Sequence, residues 1–214
     1  MVTPRSFLSS FFNLRLRRGV RAVTIENPAL LDRLSPVFAA AEALGFTKPI
    51  IRGGAVRDGL QGREINDYDL YVSRRQVVDG LDLPSINGPD APAFYEQWLS
   101  ERLGMPDLEA HGARLMDRPY LSFQVRFGDI DRPIDLVIND ELLSPDMLAL
   151  QADATMNGVA ASREKIAAHP LFLPDLQNHV FRPTVATLGN LISAPQRYLS
   201  KFASRDSRLT YRPF

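Results

Sequence analysis

Apolar residues recur at helical spacing between Leu30 and Leu44, which predicts an amphipathic helix there. Asn27 and Pro28 precede this segment and fit an N-cap and a first helical residue. Pro36 lies inside the pattern and predicts a kink or a break, because proline has no N–H to donate within a helix. The first periodic segment of the chain is therefore predicted to be a helix that bends or divides near its middle.

Later segments have the alternation, or the short apolar run, that is typical of strands. They comprise residues 49–51, 65–72, 121–127 and 133–138, the last two joined by a predicted turn. A polar loop rich in Pro and Gly covers residues 79–92. Ser144 followed by Pro145 predicts the start of a further helix. Helices and strands thus alternate irregularly along the chain.

The composition excludes several classes of protein. The chain has 214 residues, of which 45% are hydrophobic and 23% charged, values that exclude a disordered or fibrous chain. No apolar run is long enough to span a membrane. There is no cysteine and there are only three scattered histidines. A catalytic metal is therefore expected to be bound by carboxylates, which favours Mg²⁺ or Mn²⁺.

The net charge of zero conceals two basic ends. Residues 1–25 contain five arginines and no acid, and residues 195–214 contain five basic residues and one acid. This pattern indicates a polyanionic partner such as RNA, although a general preference for arginine would also produce it. We interpret residues 1–26 as a basic arm of a cytoplasmic protein, with a mitochondrial transit peptide as the alternative.

A glycine pair and a carboxylate pair lie close together in the sequence. Gly53 and Gly54 separate a predicted strand from a predicted helix, a position where backbone N–H groups can approach a phosphate. Arg57 follows one helical turn later and could add a charged contact. Asp67 and Asp69 share one face of a predicted strand, with Cα atoms about 7 Å apart, where a divalent cation would offset their repulsion.

A third acid, Asp135, lies in another apolar strand. If this strand neighbours the one that carries Asp67 and Asp69, three carboxylates converge and could support two-metal phosphoryl transfer. As alternatives without a chemical role, Asp67 and Asp69 could be an exposed pair on an edge strand, and Asp135 could belong to a network of charged side chains.

The segment 51–72 resembles the head domain of the tRNA nucleotidyltransferase and poly(A) polymerase family. Its Gly-Gly-x-Val-Arg-Asp, Gly-Arg and Asp-x-Asp elements are present, with the spacing of the family, as Gly53, Gly54, Val56, Arg57, Asp58, Gly62, Arg63, Asp67 and Asp69. The resemblance implies an α+β fold, a mixed sheet flanked by helices. It also implies that Asp67 and Asp69, with Asp135, bind the catalytic metals, and that the glycines, Arg57 and Arg63 face the triphosphate.

A second segment, 153–160, matches the family less closely. Asp153, Thr155 and Asn157 agree with the family pattern, and the resemblance implies that Asp153 and Asn157 contribute to nucleotide binding. Gln151 and Ala152 stand where the family has two arginines that would help to bind phosphates.

The resemblance also predicts an organisation into three parts. They are a basic arm over 1–26, a head-like domain over 27–165, and a basic, Pro-punctuated helical extension over 166–214. Within the extension, Arg197, Lys201 and Arg205 occur where the basic neck of the family would begin, and we expect them to contact RNA. Because little of the neck follows, we expect a compact enzyme and not a complete CCA-adding enzyme.

These features predict a metal-dependent nucleotidyltransferase. It would transfer a nucleoside monophosphate from an NTP to a hydroxyl group, at an RNA 3′ end, and release pyrophosphate. Two alternatives stay open: a degenerate head domain that binds nucleotide or RNA without catalysis, and a transferase that modifies a protein hydroxyl.

Overall fold

The computed structural model describes residues 20–115, 118–128, 130–184 and 210–211. Its elements in chain order are β1 (Val23–Ile25), α1 (Pro28–Ala43), β2 (Ile50–Arg52), α2 (Gly54–Leu60), β3 (Tyr68–Ser73), α3 (Ala91–Leu103), β4 (His111–Leu115), β5 (Arg118–Val125), β6 (Ile134–Asn139), α4 (Pro145–Leu150), a 3-10 turn (Thr155–Asn157), β7 (Val159–Ala161), β8 (Ile166–Ala168), α5 (Phe172–Gln177), β9 (Val180–Phe181) and β10 (Thr210–Tyr211).

An eight-stranded mixed sheet organises these elements, in the order β1-β8-β7-β2-β3-β6-β5-β4. The pairing of β3 with β6 is parallel, and the other pairs in this sheet are antiparallel. Strands β9 and β10 form a separate parallel pair. The predicted α+β fold with a mixed sheet flanked by helices is confirmed.

The two faces of the sheet are covered unequally. On one face, β3, β5 and β6 direct their apolar residues into the main core with α1 and α3, where Phe38, Leu70, Tyr95 and Phe123 are fully buried. On the other face, α4 and its neighbours cover a smaller cluster around Ile50. On that second face Asp69 of β3 and Asp135 of β6 are half-buried and Gln124 of β5 is exposed, whereas Ser73 and Asn139 at the other end of the same strands are buried.

Helix α1 begins as the sequence predicts, because the side chain of Asn27 accepts a hydrogen bond of 3.0 Å from the Leu30 N–H. It runs without interruption through Pro36, so the predicted break is absent. Buried Leu34, Val37 and Phe38 on either side of the proline anchor both halves of this helix in the same core. The free energy gained by packing therefore outweighs the loss of the one backbone hydrogen bond that Pro36 cannot donate.

The strand predicted over 65–72 begins instead at Tyr68, so Asp67 lies immediately before it. The Tyr68 N–H donates to the Pro133 carbonyl at 3.1 Å. Pro133 has no N–H with which to extend the ladder towards Asp67. Asp67 is consequently exposed, whereas Asp69 is half-buried within the strand.

The sheet also extends beyond the domain boundaries suggested by the sequence. Strand β1 lies in the segment interpreted as an arm, and β8 lies in the segment interpreted as an extension, yet the two pair in register from Val23–Ala168 to Ile25–Ile166. Strands of three residues are too short to show a clear alternation, and neither was predicted. Of the helices in the described ranges, none combines the length and hydropathy that a membrane span requires.

Candidate active site

Four polar residues form a continuous row across neighbouring strands on the less covered face of the sheet. This polar row consists of Arg52 on β2, Asp69 on β3, Asp135 on β6 and Gln124 on β5. Arg52 is in register with Asp69, Asp69 with Asp135, and Asp135 with Gln124. Because residues in register on adjacent strands project to the same face, the row brings two carboxylates together between a cation and an amide.

The glycine turn lies against the acids of this row. A methyl group added to Gly53 would lie 3.6 Å from Asp69 Oδ2, and one added to Gly54 would lie 4.0 Å from Asp67 Oδ1. The turn that ends β2 and begins α2 is therefore next to both members of the Asp-x-Asp pair. A phosphate group that contacts the turn backbone would be close to both carboxylates.

Backbone geometry explains why this turn begins with glycine. Gly53 has φ +68° and ψ −120°, a conformation that residues with a Cβ rarely adopt. Its N–H donates to the Val159 carbonyl at 2.9 Å, which anchors the turn to β7. The φ of Gly54 is not positive, so the backbone does not require glycine at this position. The absence of a side chain at Gly54 leaves space beside Asp67.

Electrostatic contacts connect Asp67 to the row. The pKa of Asp135 is raised above its ordinary value, first because the carboxyl is partly buried and second because Asp67 carries a negative charge nearby. A hydrogen bond from Gln124 and the proximity of His111 oppose this shift. Asp67 and Asp135 therefore interact across the space between β3 and β6, as expected for acids that share one site.

The donor set fits a hard divalent cation. Asp67, Asp69 and Asp135 offer carboxylate oxygens alone, which are the ligands that Mg²⁺ and Mn²⁺ prefer. Within the described ranges, no three His, Cys, Asp or Glu side chains are gathered tightly enough to hold an ion by themselves. Mg²⁺ commonly takes only one or two protein carboxylates and completes its shell with water and substrate phosphates, so the site suits an ion that binds together with a nucleotide. The three-carboxylate metal set stays a prediction.

Arg57 connects the two segments that the sequence singled out. Its Nη1 donates to Asn157 Oδ1 at 2.6 Å, and its Nε donates to Asp58 Oδ1 at 2.8 Å. Asn157 Nδ2 in turn donates to Asp153 Oδ1 at 3.0 Å. The structure thus brings Arg57, Asp153 and Asn157 together beside the glycine turn, with the Arg57 guanidinium engaged by protein groups. Their contact with a nucleotide stays a prediction.

The remaining predicted site residues lie elsewhere. Arg63 is exposed in the segment after α2, where its N–H donates to the Asp58 carbonyl at 2.9 Å. Arg197, Lys201 and Arg205 lie outside the described residues.

Sequence reasoning missed Arg52. This arginine is only 8% exposed, and its Nη2 donates to the Gln151 carbonyl at 2.9 Å. A signal was present, since an arginine directly before the glycine pair ends an otherwise apolar strand. Gln151 and Ala152, which stand where the family has two arginines, are themselves buried, at 7% and 0% exposure.

Comparisons with known proteins agree with the motifs. The chain is 30% identical over 171 residues to a multifunctional CCA protein of Acidovorax ebreus (strain TPSY), across 75% of this chain and 35% of that protein. The multifunctional CCA protein of Acidovorax sp. (strain JS42) gives the same identity and coverage. The chain thus spans about a third of the length of these relatives. No protein-family model matches the chain.

A solved structure shares the fold. The Thermotoga maritima CCA-adding enzyme complexed with tRNA aligns with a TM-score of 0.53 at 18% identity, over 90% of this chain and 43% of that one. The chain is thus similar, in sequence and in fold, to the head domain of the tRNA nucleotidyltransferase and poly(A) polymerase family, and the resemblance drawn from the motifs is confirmed.

Proposed function

We propose that this chain is a nucleotidyltransferase that moves a nucleoside monophosphate from an NTP to a hydroxyl group at an RNA 3′ end. The observation that carries the proposal is the register of Asp69 with Asp135 on the parallel strands β3 and β6. This register places two carboxylates side by side on a partly open face. Asp67 and the glycine turn adjoin them, so a site for a metal and a triphosphate is assembled from one continuous surface.

In the proposed reaction, the acceptor oxygen forms a bond to the α-phosphorus as the bond to the bridging oxygen breaks. Pyrophosphate leaves with the electron pair of that bond, and the hydroxyl proton passes to solvent. Asp67 and Asp69, with Asp135, would hold Mg²⁺ or Mn²⁺, which when bound supplies charge neutralisation at the phosphates and acidifies the hydroxyl. Gly53 and Gly54 would allow the triphosphate to approach the backbone closely.

An RNA acceptor is favoured by two independent observations. The curated relatives are described as CCA proteins, and the solved neighbour is a CCA-adding enzyme in complex with tRNA. The two ends of the chain also carry the basic residues that a polyanion would need near an acidic site. We therefore take RNA as the acceptor and NTP as the donor.

A degenerate domain that binds nucleotide without transfer is the second candidate. It is favoured by Gln151 and Ala152, which are buried and uncharged where the family has two arginines. It is opposed by the retention of Asp67 and Asp69, because acids that repel one another contribute nothing to packing.

The experiment that separates the candidates supplies the protein with each of the four α-labelled NTPs, Mg²⁺ and tRNA. A parallel reaction uses tRNA whose terminal ribose has been oxidised with periodate, so that no 3′ hydroxyl remains. We expect label in intact RNA, an equal amount of released pyrophosphate, and no label in oxidised RNA.

Other outcomes would overturn the proposal in distinct ways. Nucleotide binding without pyrophosphate release would support the degenerate domain. Label recovered on protein, with or without RNA, would support a transferase that modifies a protein hydroxyl.

A further inference from the structure

Arg52 is a buried cation for which the proposed reaction has not yet provided a role. It ends β2, directly before Gly53, and occupies the polar row next to Asp69. Only 8% of the residue is exposed, although its guanidinium remains charged at all ordinary pH values. Burying such a group costs free energy unless partners compensate for the lost water.

The partners that the structure gives Arg52 are uncharged. Nη2 donates to the Gln151 carbonyl at 2.9 Å, and Nη1 donates to the Tyr71 hydroxyl at 3.4 Å. The guanidinium carbon also lies 5.6 Å from the centre of the Tyr71 ring. These contacts orient the guanidinium but do not cancel its charge. They use two of its five N–H donors, so further donors are available to a ligand.

Arg52 lies beside the acidic site. It is in register with Asp69 on the neighbouring strand, and its guanidinium contacts Tyr71, two residues after Asp69. Arg52, Asp69 and Tyr71 form one cluster on the face where Asp135 also lies.

A purely structural role explains only part of this arrangement. Gln151 is the residue that ends α4, and an arginine that donates to its carbonyl stabilises the end of the helix. A neutral donor or a water molecule could satisfy the same carbonyl at lower cost. The structural role therefore explains one hydrogen bond, and Asp69 offsets part of the charge, but three of the five guanidinium N–H donors are left for another partner.

We propose that Arg52 binds a phosphate group of the incoming nucleoside triphosphate from the sheet side of the site. Arg52 directly precedes the glycine turn in the chain and lies opposite Asp69 in the sheet, so the proposal places a phosphate between the turn and the guanidinium. Three carboxylates and a triphosphate all carry negative charge, and a fixed cation in the polar row offsets part of their repulsion. This inference rests on the proposed function, because it assigns a role within the same site.

The test measures the binding of magnesium tripolyphosphate, which contains no nucleoside to transfer. Isothermal calorimetry on the full chain would compare wild type with Arg52→Met, which keeps the aliphatic stem, and Arg52→Lys, which keeps the charge without the planar fork. Arg74→Met is the matched control. Arg74 is a partly buried arginine that donates to Asp140 and to the Leu83 carbonyl, away from the polar row.

We expect Arg52→Met to weaken tripolyphosphate binding about tenfold or more, since a charge-assisted hydrogen bond is lost. Arg52→Lys should weaken binding by a smaller factor, and Arg74→Met should leave it within about twofold even where the melting temperature falls. If Arg52→Met does not fold, Arg52→Lys decides the question.

Three results would overturn the inference: wild type that binds no tripolyphosphate, folded Arg52 variants that bind it as tightly as wild type, or an equal loss in Arg74→Met. Each is separate from a failure of the proposed function. A protein that binds tripolyphosphate through Arg52 but transfers no nucleotide would contradict the transferase proposal alone. A protein that transfers nucleotide with unchanged tripolyphosphate affinity in Arg52→Met would contradict the Arg52 inference alone.

Discussion

Gly53 and Gly54 are adjacent, but a side chain would affect them differently. Gly53→Ala places a Cβ on a backbone with φ +68° and ψ −120°, and we expect a loss of about 1–3 kcal/mol in the free energy of unfolding. Gly54→Ala adds a methyl whose nearest neighbours, Arg57 Nη2 and Asp67 Oδ1, are both 4.0 Å away, so stability should change by less than about 1 kcal/mol. Urea unfolding of both variants measures the difference.

Stability and NTP binding should respond differently in these two variants. Gly53→Ala should mainly lower stability, and Gly54→Ala should mainly lower NTP affinity. Gly54→Ala should weaken NTP binding while the fold is retained, because its methyl narrows the space between the turn and Asp67. Equal stability losses in the two variants, or unchanged NTP affinity in Gly54→Ala, would contradict this assignment of the turn.

Asp135 should make the protein less stable as its carboxyl ionises. Its pKa in the folded protein lies above the ordinary value of 3.8, because of burial and the charge of Asp67. Between these two values the folded state holds the proton more tightly than the unfolded state, so the contribution of Asp135 to stability falls as pH rises through that range. Asp135→Asn removes this contribution. The stability of the variant relative to wild type should therefore increase as pH rises above the ordinary value of 3.8, and it should level off once the carboxyl is ionised in the folded wild type. A relative stability that is independent of pH would argue against the acidic neighbourhood described for Asp135.

At the level of the elements, one pair of side chains joins α2 to the 3-10 turn. Arg57 Nη1 donates to Asn157 Oδ1 at 2.6 Å, across 100 positions of sequence. We expect Arg57→Gln and Asn157→Ala each to destabilise the protein by about 1–3 kcal/mol, and the double variant to lose less than the sum. A double-mutant cycle by urea unfolding should give a coupling energy of about 1 kcal/mol. Additive losses would show that the two segments are stabilised independently.

The elements also show how far the sequence could predict the molecule. Helix α1 and strands β5 and β6 were predictable, because their periodicity is long and Asn27 supplies a recognisable cap. Strands β1 and β8 were not, because three residues carry almost no pattern and their pairing depends on contacts distant in sequence.

The candidate site likewise has residues that the sequence could predict and one, Arg52, that it could not. Asp67, Asp69 and the glycine pair were visible as a local motif, and Asp135 as an acid within an apolar strand. The alignment of Arg52 with Asp69 and Asp135 depends on the order and register of three strands. Local sequence does not encode that register, so the polar row became apparent only in the folded sheet.

At the scale of the whole molecule, the proposal of an RNA acceptor depends on the basic residues at the two ends of the chain. The binding of single-stranded RNA should fall with salt, by a log–log slope of about 0.7 for each phosphate that is neutralised. Replacing Arg197, Lys201 and Arg205 together by glutamine should flatten that slope and weaken RNA binding, while NTP affinity is retained. Filter binding across a salt series measures both quantities. RNA binding that is insensitive to salt would contradict an electrostatic role for the basic ends.

The central claim is that the Asp-x-Asp pair beside the glycine turn performs nucleotidyl transfer. The most direct measurement is the rate of pyrophosphate release with NTP, Mg²⁺ and RNA in Asp69→Asn, compared with Asp146→Asn. Asp146 lies in α4, where it pairs with Lys165 outside the polar row, and so serves as a matched carboxylate control. We predict that wild type and Asp146→Asn turn over at similar rates, whereas Asp69→Asn loses at least about a hundredfold, since metal-assisted charge stabilisation is worth several kcal/mol. A folded Asp69→Asn variant that releases pyrophosphate at the wild-type rate would contradict the account.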